Sequence, residues 1–99
     1  MARFERDYQA ALIDRISMRF PGCFVLKNDS QYLQGIPDLT VLHGGRWAAL
    51  EVKRSENEPR QPNQQYYIDA LNNMGGYAAF IYPENEAEVL DAVQRAFES

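Results

Sequence analysis

A single cysteine, Cys23, is all the thiol chemistry the chain has. It excludes an internal disulfide and any Cys-x-x-Cys motif, and it fits a reducing, cytoplasmic compartment. With Gly22 and Phe24 beside it, Cys23 reads as the start of a buried strand rather than a reactive group. A single histidine, His43, excludes a histidine-paired metal centre, and no serine or cysteine is accompanied by the base that a nucleophile needs. Glycine-rich phosphate loops are missing. No apolar run approaches the ~20 residues of a membrane span, and the first residues lack the pattern of a secretory leader; no membrane partner is expected. Positive charge is also scarce, ten Lys and Arg against fourteen Asp and Glu. That balance speaks against nucleic acid until its distribution is considered. Residues 1–65 carry nine Lys/Arg and eight Asp/Glu, residues 66–99 one and six, so the acid surplus sits in the last third. Lys27, Arg46, Lys53, Arg54 and Arg60 remain as positions that could track phosphates.

What is present is an ordinary globular composition, 45% hydrophobic and 24% charged, in a length that predicts one domain, residues 1–99, with one modest core. The chain is organised around Gly35–Arg54, GIPDLTVLHGGRWAALEVKR. Two apolar runs, Asp38–Leu42 and Trp47–Lys53, flank Gly44-Gly45, a pair suited to the positive φ angles of a tight hairpin turn. With that two-residue loop His43 faces Arg46, and counting back along the ladder sets Asp38 opposite Glu51. Alternation then gathers Leu39, Val41, Ala48, Leu50 and Val52 on one apolar face, the core side. Asp38, Thr40, Ala49, Glu51 and Lys53 share the other. Carboxylates directly opposite on a sheet have Cβ atoms ~4.5–5.5 Å apart, and at an effective dielectric of about 20 they repel by roughly 3 kcal/mol. Such a pair needs a cation between its members. Lys53 is one candidate, and a divalent metal is the other, because Mg²⁺ takes one or two carboxylates plus waters and substrate phosphates.

Pro37-Asp38 followed by Glu51-Val52-Lys53 resembles the PD-(D/E)XK nuclease signature. The fuller string, Gly35-Ile36-Pro37-Asp38, a hairpin, then Glu51-Val52-Lys53, is similar to the virus-type replication-repair nuclease (VRR-NUC) branch, especially its small stand-alone phage and bacterial members. PD alone and E-x-K alone are weak signals; their combination in register on one hairpin is specific.

The remaining elements follow from periodicity. Phe4, Tyr8, Leu12, Ile16 and Phe20, with Ala11 and Ile13 beside them, predict an amphipathic helix from about Phe4 to Arg19, stopped by Pro21-Gly22. Glu5 shares the side of Tyr8 and Leu12. The resemblance implies a glutamate from this helix in the active site, acting directly or through water, with Asp7 as the alternative to Glu5. Cys23–Lys27 reads as a short apolar strand, broken by Asn28-Asp29-Ser30-Gln31. Tyr32 in the following loop is a packing residue or a contact to DNA, and Trp47, opposite Leu42, caps the hairpin end. Pro62 suits the first turn of a second helix, with Tyr67, Ile68, Leu71 and Met74 as its buried stripe and Gly75-Gly76 as its stop. The resemblance implies a glutamine at the start of this helix facing the site. Counting back from Ile68 reaches Gln64, whereas Gln65 lines up with Asp69 on the wet side. Tyr77–Tyr82 is an apolar strand expected to run parallel to Trp47–Lys53. Asn85 with Glu88 reads as an N-cap pair before a closing helix carrying Val89, Leu90, Val93 and Phe97.

The order is αβββαβα, an α/β restriction-endonuclease-like core whose central mixed sheet carries the site on an antiparallel hairpin. The resemblance implies a Mg²⁺-dependent deoxyribonuclease, with Mn²⁺ able to substitute. Asp38, Glu51, the Val52 carbonyl and Glu5 would hold metal, while Lys53 and Gln64 complete the catalytic set. It also implies a homodimer acting on branched DNA such as Holliday junctions, in a bacterial or phage-infected cell. Two alternatives stand beside this: a catalytically silent DNA-binding module of the same fold, and a duplex- or flap-specific repair or restriction-type nuclease. The bland reading of Asp38, Glu51 and Lys53 is a solvated charge triplet on an open sheet face.

Overall fold

The computed structural model describes residues 2–99, with side chains described from Glu5 onward, so Phe4 of the first helical stripe lies outside the described side chains. In chain order the elements are α1 (Ala2–Arg19), β1 (Phe24–Lys27), β2 (Leu39–His43), β3 (Arg46–Val52), α2 (Gln64–Asn73), β4 (Tyr77–Ile81) and α3 (Glu86–Glu98). This is the αβββαβα order expected. The four strands form one mixed sheet in the order β1-β2-β3-β4, antiparallel across the first two pairings and parallel between β3 and β4.

The hairpin register is the predicted one, from His43 opposite Arg46 to Leu39 opposite Leu50. Of the two turn glycines only Gly44 takes a positive φ, 61°, the pattern of a type II′ turn. Leu39, Val41, Ala48, Leu50 and Val52 are all fully buried. Leu12 and Ile16 of α1, Phe20 just past its end, and Val89, Leu90 and Val93 of α3 pack on them, with Ile81 from β4. Ala11, expected beside the stripe, is exposed, because it lies a quarter-turn away from the Leu12–Ile16 line. The opposite sheet face is covered by α2, where Ile68 meets Ala49, Ala78 and Phe80.

Several local readings are corrected. Pro62 precedes the helix rather than occupying its first turn. Asn63 intervenes in the left-handed region at φ 72°, and α2 begins at Gln64. Gly35, itself at φ 90°, comes so close to this corner that an added Cβ would sit 2.6 Å from that of Asn63. A glycine is therefore required there, and the loop before Asp38 is locked against the start of α2. Met74 is 71% exposed, since it is the C-cap residue and turns off the buried stripe. Asn85 does occupy the N-cap of α3, but no capping bond with the helix forms; its side chain accepts from the Tyr82 amide at 2.8 Å and donates to the Phe80 carbonyl at 3.1 Å. β1 is an edge strand, with Phe24 69% and Leu26 46% exposed, while Cys23 is half-buried against the core.

Glu86 ties α3 to α1. It accepts from the Tyr8 hydroxyl at 2.9 Å and, in a two-pronged pairing, from Arg15 Nε and Nη2 at 2.6 and 2.8 Å. Arg15 beside it holds the Glu86 carboxyl below its ordinary range. A depressed carboxylate contributes stability that is complete above its unfolded-state pKa and is lost as pH falls through the native value. Glu86→Ala is expected to cost about 1–2 kcal/mol at neutral pH, a figure reduced for the half-exposed Arg15. In urea melts from pH 7 to pH 3 that deficit should shrink toward zero; a deficit independent of pH would mean the bonds are only neutral contacts.

Candidate active site

Glu51 and Lys53 are each only 4% exposed, so the solvated triplet is excluded by burial. The hairpin ladder stops at Leu39, one residue before Asp38. The Asp38 carbonyl instead accepts from the Asn28 amide at 2.8 Å, and its carboxylate reaches across to accept from the Val52 amide at 2.9 Å. Asn28 also donates from its side chain to the Pro37 carbonyl and Thr40 Oγ1, both at 2.9 Å, so the Pro37-Asp38 bend is clasped by the end of β1. Lys53 N donates to the Ile81 carbonyl at 2.8 Å, which ties Lys53 to the end of the β3–β4 pairing at Val52 and Ile81.

Burial and the neighbouring Asp38 carboxylate push Glu51 up to about 9, with Lys53 opposing them. Asp38 is also raised, chiefly by burial, against the pull of the Val52 amide, a proton shared with Glu51, and Lys53. Glu51 Oε2 accepts from Gln64 Nε2 at 3.1 Å, whereas Oε1 is buried and meets no donor among the described residues. An orphaned, buried carboxylate oxygen beside a second carboxylate fits a cation. Among the described residues no three His, Cys, Asp or Glu side chains form a closed cage. Two carboxylates with open positions suit the hard, partly hydrated Mg²⁺ better than such a cage would.

The other candidates divide. Glu5, at the start of α1, is half-buried with the Asp38 and Lys53 charges acting on it, and is raised to about 7 by burial and by Glu58; Asp7 is exposed. Gln64 points at Glu51, while Gln65 pairs with Asp69 at 2.9 Å and with Arg60 on the outer side. Among the proposed DNA contacts, Arg60 lies over the Phe80 ring at 3.9 Å, and Phe80 is the β4 partner of Glu51, so this guanidinium is near the site. Arg54 stands 3.9 Å from Glu58. Exposed Lys27 ends β1 opposite Leu39, next to Asp38. Tyr32 is 87% exposed in the preceding loop. Arg46 is not brought to the site. It lies at the hairpin tip, five residues along β3 from Glu51 or roughly 17 Å, and bonds the Ser99 carbonyl. Trp47 covers Gly76 and lines an apolar cleft with Ile36, Pro37 and Leu71.

The sequence reading passed over Glu58. It sits in the connection from β3 to α2 and accepts from the Arg54 amide at 2.7 Å, with its other oxygen 3.7 Å from Lys53 Nζ. Lys53 Nζ also donates to the Pro59 carbonyl at 3.1 Å. Nothing periodic marks an irregular loop, so only the proximity of acids to Lys53 in sequence could have signalled it.

No protein-family model and no curated protein matches the chain in sequence. Among solved structures it is similar to a VRR_NUC domain, with a TM-score of 0.65 at 23% identity over 84% of this chain and 92% of that one. It also matches Hjc of Archaeoglobus fulgidus, a Holliday junction resolvase from an archaeal hyperthermophile, with a TM-score of 0.47 at 19% identity over 82% and 67% of the two chains. The first likeness shows the fold, a mixed four-stranded sheet flanked by helices in the VRR_NUC arrangement. The second is too distant to add to it.

Proposed function

We propose that this chain is a divalent-metal-dependent nuclease hydrolysing DNA phosphodiester bonds. The observation that carries the reading is the buried Glu51, with one oxygen lacking a donor among the described residues, set beside Asp38 and in reach of the Lys53 charge. The VRR_NUC fold and the Gly35-to-Lys53 motif support it. Asp38, Glu51 and the Val52 carbonyl would hold the cation, with Glu5 beside them. When bound, Mg²⁺ or Mn²⁺ supplies Lewis acidity toward a phosphoryl oxygen and makes a water more acidic. Gln64 fixes the rotamer of Glu51, and the Val52 amide fixes that of Asp38. Lys53 places a positive charge where negative charge grows on the phosphoryl group, a contribution largest in the transition state. Arg60, Lys27 and Arg54 supply phosphate contacts around this centre.

The finer reading is a homodimer that cuts branched DNA, as the resemblance to stand-alone VRR-NUC proteins implies. One chain offers one site, and resolving a four-way junction takes two nicks in symmetry-related strands, which a two-fold dimer supplies. Phe24, Leu26 and Leu42, exposed on neighbouring strands of one sheet face, give such a dimer an apolar surface to bury. With Mg²⁺ present, matched junction, flap and linear duplex substrates should be cut in the order junction first, and light scattering at micromolar concentration should give twice the chain mass. A monomer that cuts linear duplex as fast as junctions removes the resolvase reading and leaves the nuclease. A protein that binds these DNAs and cuts none of them with either metal is the silent module instead.

A further inference from the structure

The Lys53 ammonium is buried, yet none of its hydrogen bonds goes to Asp38 or Glu51. Its bond is to the Pro59 carbonyl at 3.1 Å, and its closest carboxylate is Glu58 at 3.7 Å. Glu58 is in turn anchored by the Arg54 amide at 2.7 Å, and its own amide closes a turn on the Ser55 carbonyl at 3.2 Å. The five-residue stretch after Arg54 is thus folded into a cup whose acceptors face the lysine. A lysine has a flexible four-carbon stem and gains directional value only when its head is held. A buried lysine also needs its charge balanced, all the more when a metal takes up the charge of Asp38 and Glu51.

From this geometry we infer that Glu58 is a positioning residue for Lys53: one oxygen, held by the Arg54 amide, orients the carboxylate, and the other fixes the ammonium near the carboxylate pair. The inference rests on the nuclease reading for its catalytic consequence, but the Lys53–Glu58 pairing stands on the geometry alone. Glu58→Gln keeps an oxygen for the Arg54 amide and removes the charge facing Lys53, so the loop should fold while the lysine loses its anchor.

The expected result is a kcat at least about tenfold lower, KM for DNA within twofold of wild type, and an unchanged calorimetric Mn²⁺ affinity. Glu58→Asp, which keeps the charge, should recover most of kcat. In melts of the metal-free protein, the Tm losses of Glu58→Gln and Lys53→Met should add to more than the loss of the double variant, because both remove one pairing. That cycle needs no activity, so an inactive wild type with coupled melts sinks the nuclease reading and keeps the pairing. Wild-type kcat in Glu58→Gln, or strictly additive melts, overturns the positioning role. A weakened Mn²⁺ affinity overturns it as well, by making Glu58 a ligand.

Discussion

Glu51→Gln should abolish cleavage and at the same time raise the melting temperature of the metal-free protein. Loss of activity follows from removing a ligand; the gain in stability follows from the site's geometry. Glu51 is buried with one oxygen unsatisfied among the described residues and a second carboxylate beside it. A glutamine there can donate to Asp38 and still accept from Gln64, which the ionised glutamate cannot do. The sign of the linkage is fixed by Glu51 being raised to about 9 in the native protein. A raised carboxyl stabilises fully below its unfolded-state value near ~4.3. That stability is lost progressively as pH rises toward about 9, so the variant's advantage should be near zero at pH 4 and widen through pH 8. At pH 8 it should reach about 2–3 kcal/mol, on the order of 10 °C in Tm for a domain of this size. Millimolar Mg²⁺ should reverse the order, raising the Tm of the wild type and leaving Glu51→Gln in place. Asp38→Asn should behave alike in activity but gain less, since it exchanges a carboxylate that the Val52 amide already satisfies. Differential scanning calorimetry across pH, with and without Mg²⁺, checks all of this. A Glu51→Gln protein that still cleaves, or a wild type that cleaves in EDTA, removes the metal assignment.

Lys53→Ala should lower turnover by about 10²–10³-fold while DNA and Mn²⁺ still bind, because its charge acts on the transition state rather than on ligation. Calorimetric titration of Mn²⁺ separates the roles: retained affinity places Lys53 in the chemistry, and lost affinity makes it the group that holds Asp38 and Glu51 together. The metal-free variant should also melt lower than the wild type, since the buried acids lose the Lys53 charge that acts on both.

Much of this site is readable because a two-residue turn leaves no freedom in the register. Once Gly44-Gly45 is the loop, Asp38, Glu51 and Lys53 must fall at one end of the hairpin, and Leu39 to Val52 must sort into two faces. Gln64 was reachable in the same way, through the helical spacing from Ile68. Elements set by non-local contacts were not. Asn85 satisfies strand groups rather than its own helix, Met74 leaves its stripe at the cap, and Pro62 stays outside the helix because Asn63 turns left-handed first. β1 is apolar in sequence and exposed in the fold, since α2 packs over β3 and β4 and does not reach it. Asp38 was placed opposite Glu51, yet the end of β1 draws its main chain away and only the carboxylate crosses.

Parallel pairing of β3 with β4 requires the whole α2 crossover, whereas the β2–β3 hairpin closes over a two-residue loop. Local contacts form early in folding and long crossovers late. The two carboxylates therefore meet while water still surrounds them, and they are dried only when α2 and β4 arrive. A conflict that appears only on drying acts on unfolding to the extent that drying follows the folding transition state, so Glu51→Gln is expected to slow unfolding of the metal-free protein more than it speeds folding.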